Sequence, residues 1–580
     1  MAPVSAAITT MQTQQFTATV TNATNKTVTW KVDGVAGGNA NVGLISTSGL
    51  YTPPVQAGTH TVTATSVADT GKSANATVTV SIAVSSSYRG VLTYHNDNMR
   101  SGQNLQEKIL TPANVNATTF GKLFSLPVDG AVYAQPLYVA GVSLGGQVRN
   151  VIIVATEHNS VYAFDADTYG APLWQINFND DKKNIAPVSS VDTNCADINP
   201  EIGITSTPVI DSATGILYVV AMTKENGAFA HRIHMLDIVT GKEKTGSGLK
   251  IEASVTGTSP PNNAGKLIFT SILENQRAAL LLNNNVIYIG FGSFCDFGNH
   301  HGWLLAYDAR NLNQLGAFSA TPNGTEGGIW QSGGGPAADA DGNIYIITGD
   351  GTFTADTAGK DYGNTFIKFS GPTLNVADYF TPFNQATLDA INGDLGSGAP
   401  LLLPDQSTGP KHLLVSAGKQ GTIYMLNRDN MGKYQASGDS QIVQTIPKSN
   451  SLFGTPAYFK NTIYMAAVGD KLKAYTLSNG QIAQAAESTT SFNWPGATPV
   501  ISANGENNGI VWLLRTNGSG SPALLHAYSA ADVSIELYNS NLNPARDAPG
   551  AAVKFTVPTV MNGKVYAGTV GQVSVYGLLP

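Results

Sequence analysis

Charge, cysteine and long hydrophobic runs are scarce in this sequence. Only 12% of its 580 residues are charged, 42% are hydrophobic, and the net charge is −7. No stretch reaches the roughly 18 apolar residues of a membrane-spanning helix. No Lys/Arg-rich run offers the electrostatic footprint of a protein that binds nucleic acid or an anionic membrane. We therefore expect a globular protein of two or more packed units, with neither a membrane span nor a nucleic-acid partner.

The two cysteines, Cys195 and Cys295, restrict the possible cofactors. They stand too far apart for a CxxC zinc site or a CxxCH haem attachment, which leaves either one long-range disulfide or two free thiols. The sequence also lacks a GxSxG elbow, a P-loop and a dinucleotide fingerprint in the strand–turn–helix setting that these motifs need. Serine-hydrolase and nucleotide-binding chemistry therefore have no support in the sequence.

The N-terminus MAPVSAAITT lacks the charged-then-apolar order of a signal peptide. Low lysine content and abundant asparagine and threonine nevertheless favour a location outside the cytoplasm. A disulfide between the two cysteines would suit such an oxidising compartment. We expect a secreted, periplasmic or cell-surface protein.

Glycine and proline, with 61 and 28 residues, are distributed along the whole chain. This distribution is typical of many short strands joined by tight turns, and it predicts an all-β protein. Residues 1–84 contain alternating segments such as FTATV, VTWKVDG and HTVTATSV, which predict a small β-sandwich. These segments resemble the bacterial Ig-like modules of surface and secreted proteins, and the resemblance implies a spacer or adhesion unit.

Residues 85–580 repeat one structural unit eight times. Each unit has an opening strand, a second strand such as VIIVAT or VIYIGF, and a third such as VYAFDADTYG or LLAYDARN. The opening segments are AQPLYVAG, STPVIDSATG, RAALLLNNN, GGPAADADG, GAPLLLPD, GTPAYFKN, ATPVISANG and TVPTVMNGK. Such units cannot bury both faces alone, so they stack radially. We predict an eight-bladed β-propeller.

A functional site is expected at one mouth of the propeller. The opening strand lies nearest the axis, so the residues before it and the loop between the second and third strands meet there. The residues at these positions are Tyr133, Glu157, His158, Glu201, Thr205, Arg277, Cys295, Asp296, His300, His301, Trp330, Gln331, Asp350, Asp361, Asp394, Lys419, Asp470 and Trp494. Carboxylates, lysine and aromatic faces from separate blades are typical of a ligand pocket.

Several segments match one enzyme family. FCDFGNHHGWLLAYDA, GGIWQSGGGPAADADGNIYIITGDGTF, KDYGNTFIKFS and AGKQGTIYMLNRDNMG are similar to segments of the quinoprotein alcohol dehydrogenases, which use pyrroloquinoline quinone (PQQ) and a calcium ion. The resemblance covers roughly residues 90 to 580. It implies an oxidoreductase that oxidises an alcohol or a sugar at the mouth of the propeller.

The resemblance assigns a role to each matching residue. It implies that Asp296 and Asp350 bind calcium, that Trp330 forms the floor under the quinone and that Asp361 is the catalytic base. It further implies that Lys419 contacts the quinone and that Thr205 supplies a hydroxyl contact; we also assign Asp394 to cofactor binding. Calcium prefers oxygen ligands and polarises a quinone carbonyl while a carboxylate removes the alcohol proton.

The chain departs from the family at the cysteine pair and at three further positions. The family's adjacent cysteines above the quinone are missing, because Cys195 and Cys295 are far apart. Asp296 and Asp350 stand where the family has Glu and Asn, and Tyr133 stands near the position of a quinone-contacting Glu. No haem motif is present, so a separate electron acceptor is expected.

Two further functions remain open on the sequence alone. His158, His231, His300 and His301 lie in loops of adjacent units, and neutral imidazoles there would suit a transition metal such as Cu, Zn or Fe. The second alternative is a non-catalytic propeller that binds carbohydrate or protein, consistent with the N-terminal module.

Overall fold

The chain forms two compact units, Met1–Ser87 and Tyr88–Pro580. The computed structural model describes residues 1–10, 12–54, 56–81, 88–447 and 450–580. The domain boundary predicted after residue 84 lies outside these described residues. With 47% strand and 4% helix, the chain has the predicted all-β class.

Two sheets build the N-terminal unit. The first contains Ser5–Thr9, Val28–Val32, Val35–Ala36, Gly58–Ser66 and Ser73–Ser81, and the second contains Gln14–Gln15, Gly38–Asn39, Gly43–Ile45 and Leu50–Thr52. Alternate side chains of Gly58–Ser66 are buried, as expected of a strand with one face on a core. Trp30 of the first sheet and Tyr51 of the second belong to that shared hydrophobic core.

Eight principal sheets recur along the described residues of the second unit. The first contains Arg89–Val91, Leu137–Leu144, Gln147–Ala155, Ser160–Asp165 and Trp174–Asn177; the second Ile185–Ala186, Val209–Asp211, Ile216–Glu225, Ala228–Asp237 and Leu249–Lys250; the third Glu274–Asn275, Leu281–Asn283, Val286–Ser293, Trp303–Asp308 and Gln314–Ser319; the fourth Ala337–Ala338, Asn343–Ile347, Phe366–Ser370 and Asn375–Phe380. Each contains its predicted opening segment as a strand.

The remaining sheets follow the same antiparallel plan. The fifth contains Leu401–Leu402, Leu413–Ala417, Ile423–Asn427 and Gln444–Ile446; the sixth Ala457–Phe459, Thr462–Ala466, Asp470–Ser478 and Gln481–Phe492; the seventh Gln103–Asn104, Val500–Asn504, Asn507–Arg515, Leu524–Ser529 and Glu536–Asn539; the eighth Phe120–Ala131, Thr559–Met561 and Lys564–Leu578. In the seventh sheet Gln103–Asn104 runs parallel to Val500–Asn504.

Short elements fill the connections. Two small sheets contain Val188–Ser189 with Glu201–Ile202, and Ser254–Thr256 with Asn262–Asn263 and Lys266–Ile268. The α-helices are Gln385–Ala390 and Pro544–Asp547, and the 3-10 turns are Asp181–Lys183, Gln331–Gly333, Ala355–Thr357, Leu395–Ser397 and Ser540–Leu542. No helix of the described residues has the length and hydrophobicity needed to cross a membrane.

Each pair of consecutive sheets shares its own hydrophobic core. All residues of Trp303–Asp308 are buried, because this strand has a neighbouring sheet on both faces. Such cores join the first sheet to the second and so on to the eighth. One more core packs Phe164 of the first sheet with Tyr566 of the eighth. The sheets therefore form a closed ring, the arrangement of a β-propeller.

The ring is closed by strands from both ends of the unit. Phe120–Ala131 pairs antiparallel with Lys564–Leu578, from Phe120 opposite Leu578 to Ala131 opposite Val570. A sheet built from distant parts of the chain ties the first repeat to the last. This pairing leaves the propeller without a free end between its first and eighth sheets.

Residues 89–104, here called the axial segment, contact in turn the opening segment of each of the eight principal sheets. Arg89–Val91 pairs with the first sheet. The other contacts are Ile210 N to Leu92 O, Asn98 Nδ2 to Leu282 O, Ala338 N to Asn98 O, Leu402 N to Met99 O, Tyr458 N to Ser101 O, Ile501 N to Gly102 O and Asn104 Nδ2 to Val560 O, at 2.7–3.0 Å. The order of these contacts follows the order of the sheets around the ring.

Arg100 is the centre of the axial segment. Its side chain is fully buried and donates hydrogen bonds to Pro336 O at 2.9 Å, Leu280 O at 3.1 Å, Tyr94 O at 2.9 Å and Thr93 Oγ1 at 2.9 Å. A buried guanidinium is stable only where its donors are satisfied. Arg100 thereby links the axial segment to the third and fourth sheets.

Candidate functional site

A cavity of about 270 Å³ is formed by residues that precede the first strands of several sheets or follow their second strands. The lining residues are Asp197, Asn275, Arg277, Ser293, Cys295, Asp296, Trp330, Asp394, Lys419, Phe453, Trp494, Lys554 and Phe555. The volume is close to the lower end of small-molecule sites, about 300 Å³. Of the residues that sequence analysis expected at the mouth, the cavity brings together Arg277, Cys295, Asp296, Trp330, Asp394, Lys419 and Trp494.

Four aromatic side chains, Trp330, Phe453, Trp494 and Phe555, form one aromatic cluster in the cavity wall. Phe555 is its centre, with ring centroids 5.7 Å from Phe453 and 6.2 Å from each tryptophan. The backbone of Phe555 has φ of 65°, a left-handed conformation that is unusual for a bulky residue and costs about 1–3 kcal/mol. Such strain is concentrated at functional sites, and here it directs a ring into the cavity.

Three cations lie against these rings. Arg277 has its guanidinium carbon 4.8 Å from the Phe555 centroid and 5.2 Å from the Tyr133 centroid. Lys554 Nζ lies 5.5 Å from the Trp494 ring, and Lys419 Nζ lies 5.9 Å from the Trp330 ring. Aromatic faces stabilise cations at such distances. The cavity therefore presents flat apolar surfaces next to positive charge.

Lys554 is almost completely buried and pairs with Asp197, with 2.9 Å between Nζ and Oδ2. Burial, together with repulsion from Arg277, lowers the pKa of Lys554 to about 8.

A disulfide lies close to this ion pair. Asp197, the partner of Lys554, follows Cys195, which forms a disulfide with Cys295; the distance between their Cα atoms is 5.7 Å. One group of potential metal ligands occurs among the described residues. It consists of Cys195, Asp197 and Cys295, whose ligand atoms all lie within 4.8 Å of one another. Because both sulfurs are oxidised, they offer no thiolate to a metal.

Removal of this disulfide tests its contribution to stability. The bond closes a loop with a sequence separation of 100 residues, and bonds across long loops stabilise proteins by about 2–4 kcal/mol. We expect the double variant C195S/C295S to lose that amount in free energy of unfolding, measured by urea denaturation. Dithiothreitol should destabilise the wild type and leave the variant unchanged. Equal stability of variant and wild type would contradict this expectation.

Asp350 and Asp394 form a carboxyl pair beside the cavity. Asp394 Oδ1 accepts a hydrogen bond from Asp350 N at 3.1 Å, and its other oxygen pairs with Lys419. Burial and the negative charges of Asp394, Glu326 and Asp296 raise the pKa of Asp350 to about 9. Asp350 therefore retains a proton at neutral pH unless a cation replaces it.

Asp296 lies at the rim of the cavity and is held by neighbouring polar groups. Its Oδ1 accepts from Ser293 Oγ at 2.8 Å and its Oδ2 from Asn392 Nδ2 at 2.8 Å. Asn392 also accepts a hydrogen bond from Lys419. A chain of polar contacts thus connects Asp296 with the Lys419–Asp394 pair on the opposite loop.

Three residues assigned to the site, Asp350, Asp361 and Thr205, do not line the cavity. Asp361 is buried, and its carboxylate accepts hydrogen bonds from Asn323 N at 2.9 Å and Thr354 Oγ1 at 2.9 Å. The carboxylate that was expected to be the base therefore joins two loops.

Thr205 contacts a buried carboxyl group. Its hydroxyl donates a hydrogen bond to Glu157 Oε2 at 3.0 Å. Burial raises the pKa of Glu157 to about 7, and its Oε1 has no hydrogen-bond partner in the described structure.

The four histidines considered as metal ligands have separate surroundings. His158 pairs with Glu201 at 2.9 Å, and His301 contacts Thr321 Oγ1 at 2.9 Å and Pro260 O at 3.0 Å. His231 packs edge-on against Phe291 with a centroid distance of 5.3 Å, and burial lowers its pKa to about 3. His300 Nε2 lies 3.9 Å from Asp296 Oδ1.

The histidine sites therefore share no metal centre. Within the described residues, no group of three potential metal ligands with all ligand atoms inside 4.8 Å contains a histidine. The His231 ring belongs to the packing of the second and third sheets, and the His301 ring nitrogens are already engaged by oxygen atoms.

Sequence reasoning missed six of the lining residues: Asp197, Asn275, Ser293, Phe453, Lys554 and Phe555. A signal for two of them exists, because Phe453 and Phe555 each stand three residues before the proline of an opening segment. Asp197 had no such signal. It lies in the connection between Ile185–Ala186 and Val209–Asp211 of the second sheet, which the disulfide joins to Cys295.

Neither a family model nor a curated protein matches the sequence. Among solved structures, the chain is similar to quinohemoprotein alcohol dehydrogenases from Pseudomonas putida HK5, with a TM-score of 0.55, and from Comamonas testosteroni, with a TM-score of 0.52. Identity is 14% in both, over 84% of this chain and 80% of each of those chains. A europium-containing methanol dehydrogenase gives a TM-score of 0.52 and 14% identity, over 84% of this chain and 98% of that one. The chain therefore has a β-propeller fold like that of quinoprotein alcohol and methanol dehydrogenases.

Proposed function

We propose that this protein is an oxidoreductase that binds PQQ and a calcium ion in the cavity and oxidises an alcohol or a sugar there. The observation that carries the proposal is the composition of the cavity. Aromatic rings, three cations and the carboxylates of Asp296 and Asp394 line one pocket of a propeller with a dehydrogenase-like fold, and Asp350 adjoins Asp394. The fold alone does not establish function, so the proposal depends on these residues.

The residues fit such a cofactor and ion. A flat anionic quinone suits a cavity with Trp330 and Phe555 in its walls and Arg277, Lys419 and Lys554 as cations. Calcium suits oxygen ligands. Burial and the neighbouring carboxylates raise the pKa of Asp350 to about 9, and a bound cation would offset that negative charge. Asp296 and Asp350 would hold the ion, as the sequence analysis expected.

The roles of the protein groups follow from their contacts. When bound, the quinone supplies a hydride acceptor. Trp330 would support the ring by stacking, and Lys419, which lies over the Trp330 ring, would stabilise negative charge on the cofactor. Lys419 also pairs with Asp394 and would hold that carboxylate in the cavity wall.

We assign proton removal to Asp394 in place of Asp361. Asp394 lines the cavity, whereas Asp361 does not and its carboxylate accepts hydrogen bonds from Asn323 N and Thr354 Oγ1. A general base must lie within hydrogen-bond reach of the proton that it takes. Asp394 satisfies this condition for a hydroxyl bound in the cavity.

The proposal extends to the rest of the chain. The eight principal sheets are proposed as the eight blades of the propeller, and residues 1–84 as an Ig-like module. We further propose an exported protein, secreted, periplasmic or on the cell surface, because a disulfide suits an oxidising compartment. A separate protein or small molecule would accept the electrons, because the sequence contains no haem attachment motif.

Reconstitution tests the proposed function. Purified protein supplied with PQQ and Ca²⁺ should gain quinone absorbance and dye-linked oxidation of members of an alcohol and sugar panel. Omitting either PQQ or Ca²⁺ provides the control. Absence of both quinone absorbance and turnover in the reconstituted protein would reject the proposal.

Calcium binding should release protons. Because Asp350 is protonated at pH 7, with a pKa of about 9, an incoming cation must displace that proton, and calcium affinity should rise from pH 6 to pH 9. Isothermal titration in buffers of different ionisation enthalpy would measure about one released proton per ion. The variant D350N should bind calcium with no such release. Proton-independent binding to the wild type would contradict the assignment of Asp350.

A further inference from the structure

Arg277 is a buried cation without a direct anionic partner. The residue is only 5% exposed and lines the cavity, yet its guanidinium makes neither a hydrogen bond nor an ion pair with any residue that the structure describes. The rings of Tyr133 and Phe555 lie next to it, with centroids 5.2 and 4.8 Å from the guanidinium carbon. Its N–H donors are therefore available to a group inside the cavity.

The nearest negative charges do not neutralise Arg277. Asp197 and Glu157 interact with the Arg277 guanidinium electrostatically but form no hydrogen bond with it. Asp197 is already paired with Lys554. Lys554 adds a second positive charge to the same wall, and each cation disfavours the charge of the other. A buried charge is costly unless it is paired. This wall therefore has an excess of positive charge that a bound anion would offset.

The shape of the wall indicates which anion fits. A guanidinium presents planar donors that match a carboxylate with two parallel hydrogen bonds. Rings of Tyr133 and Phe555 stand beside those donors, and the strained backbone of Phe555 places its ring there. Aromatic rings this close to the donors favour a carboxylate carried by a flat organic group.

We propose that Arg277 is the anchor of an organic carboxylate in the cavity, with Lys554 beside it as the second cation. The inference rests on the proposed function and specifies its ligand class. The carboxylate belongs either to the quinone cofactor or to an acidic substrate. Both have the same chemistry at Arg277, and the test separates them.

Binding to the full chain is measured by quenching of tryptophan fluorescence, since Trp330 and Trp494 line the cavity. The probes are PQQ, its trimethyl ester and 4-(hydroxymethyl)benzoate, with benzyl alcohol as the uncharged reference. The variants are R277M and R277K, and R89M, on an exposed side chain, is the matched control. Loss of charged hydrogen bonds should weaken binding of a carboxylate about 10- to 100-fold in R277M, less in R277K, and not in R89M.

The pattern across probes identifies the source of the carboxylate. Weaker binding of PQQ by R277M, with the trimethyl ester unaffected, assigns the anchor to the cofactor. Weaker binding of 4-(hydroxymethyl)benzoate alone assigns it to the substrate. Failure of the wild type to bind PQQ would reject the proposed function, while the benzoate probe would still test the anchor. Unchanged binding of both acids by R277M, or no binding of either acid by the wild type, would overturn the inference.

Thermal denaturation separates an anchor from a structural role. Removing an unpaired buried charge relieves its desolvation cost. The thermal midpoint of ligand-free R277M should therefore equal or exceed that of the wild type. A clear decrease of the midpoint would show that Arg277 stabilises the fold, and would overturn the inference.

Discussion

Replacing Arg100 with methionine should lower the free energy of unfolding of the propeller by about 4 kcal/mol. The substitution removes the donors to Pro336 O, Leu280 O, Tyr94 O and Thr93 Oγ1. Each acceptor that is left buried without a partner costs about 1–3 kcal/mol, and partial relaxation of the surroundings reduces the sum. Losses above about 4 kcal/mol are exceptional for a single substitution.

Denaturation by urea, followed by fluorescence, measures this loss. R89M is again the matched control, because it makes the same change on an exposed side chain at the start of the axial segment. R100K should recover only part of the stability, since lysine cannot reproduce the planar set of donors. A stability of R100M within about 1 kcal/mol of the wild type would show that the axial segment contributes little.

Replacing Asp394 with asparagine should reduce kcat of the reconstituted enzyme about 10²- to 10⁴-fold, the usual contribution of a general base. Asparagine has a similar shape but accepts no proton, and it also removes the ion pair with Lys419. Steady-state kinetics with PQQ and Ca²⁺ at saturation would measure the change. Quinone absorbance, recorded in parallel, separates a loss of base from a loss of cofactor.

Two further variants decide between the candidate bases. D356N changes an exposed carboxylate and should retain the kcat of the wild type. D361N should lower thermal stability, because the Asp361 carboxylate accepts hydrogen bonds from two loop residues. A D361N enzyme that stays folded and loaded with cofactor but loses kcat, together with an active D394N, would reverse the assignment.

The repeat made much of the fold predictable from sequence. Each opening segment recurs as a strand because hydrophobic residues and turn residues alternate at similar spacing in every unit. The position of a residue relative to the opening strand also predicted part of the cavity lining. Trp330, Asp394 and Trp494 precede first strands and line the cavity.

Side-chain direction and long-range contacts were not accessible in this way. Asp361 follows the spacing of a site residue, yet hydrogen bonds with Asn323 and Thr354 direct it away from the lining. Two cysteines allow a disulfide, but only the folded chain shows that it brings Asp197 to Lys554. Such features depend on which loops meet in space, and local sequence pattern carries no information about that.

The axial segment also has a consequence for how the propeller unfolds. Sheets stacked in a row interact only with their neighbours and can melt one at a time. Residues 89–104 contact the opening segment of all eight principal sheets. Loss of any one sheet therefore removes contacts that hold the axial segment, and a loosened segment destabilises every other sheet. The segment can dock fully only after the last repeat has formed. Folding of this unit should therefore be completed late and lost all at once, because the axial segment holds all of its repeats together.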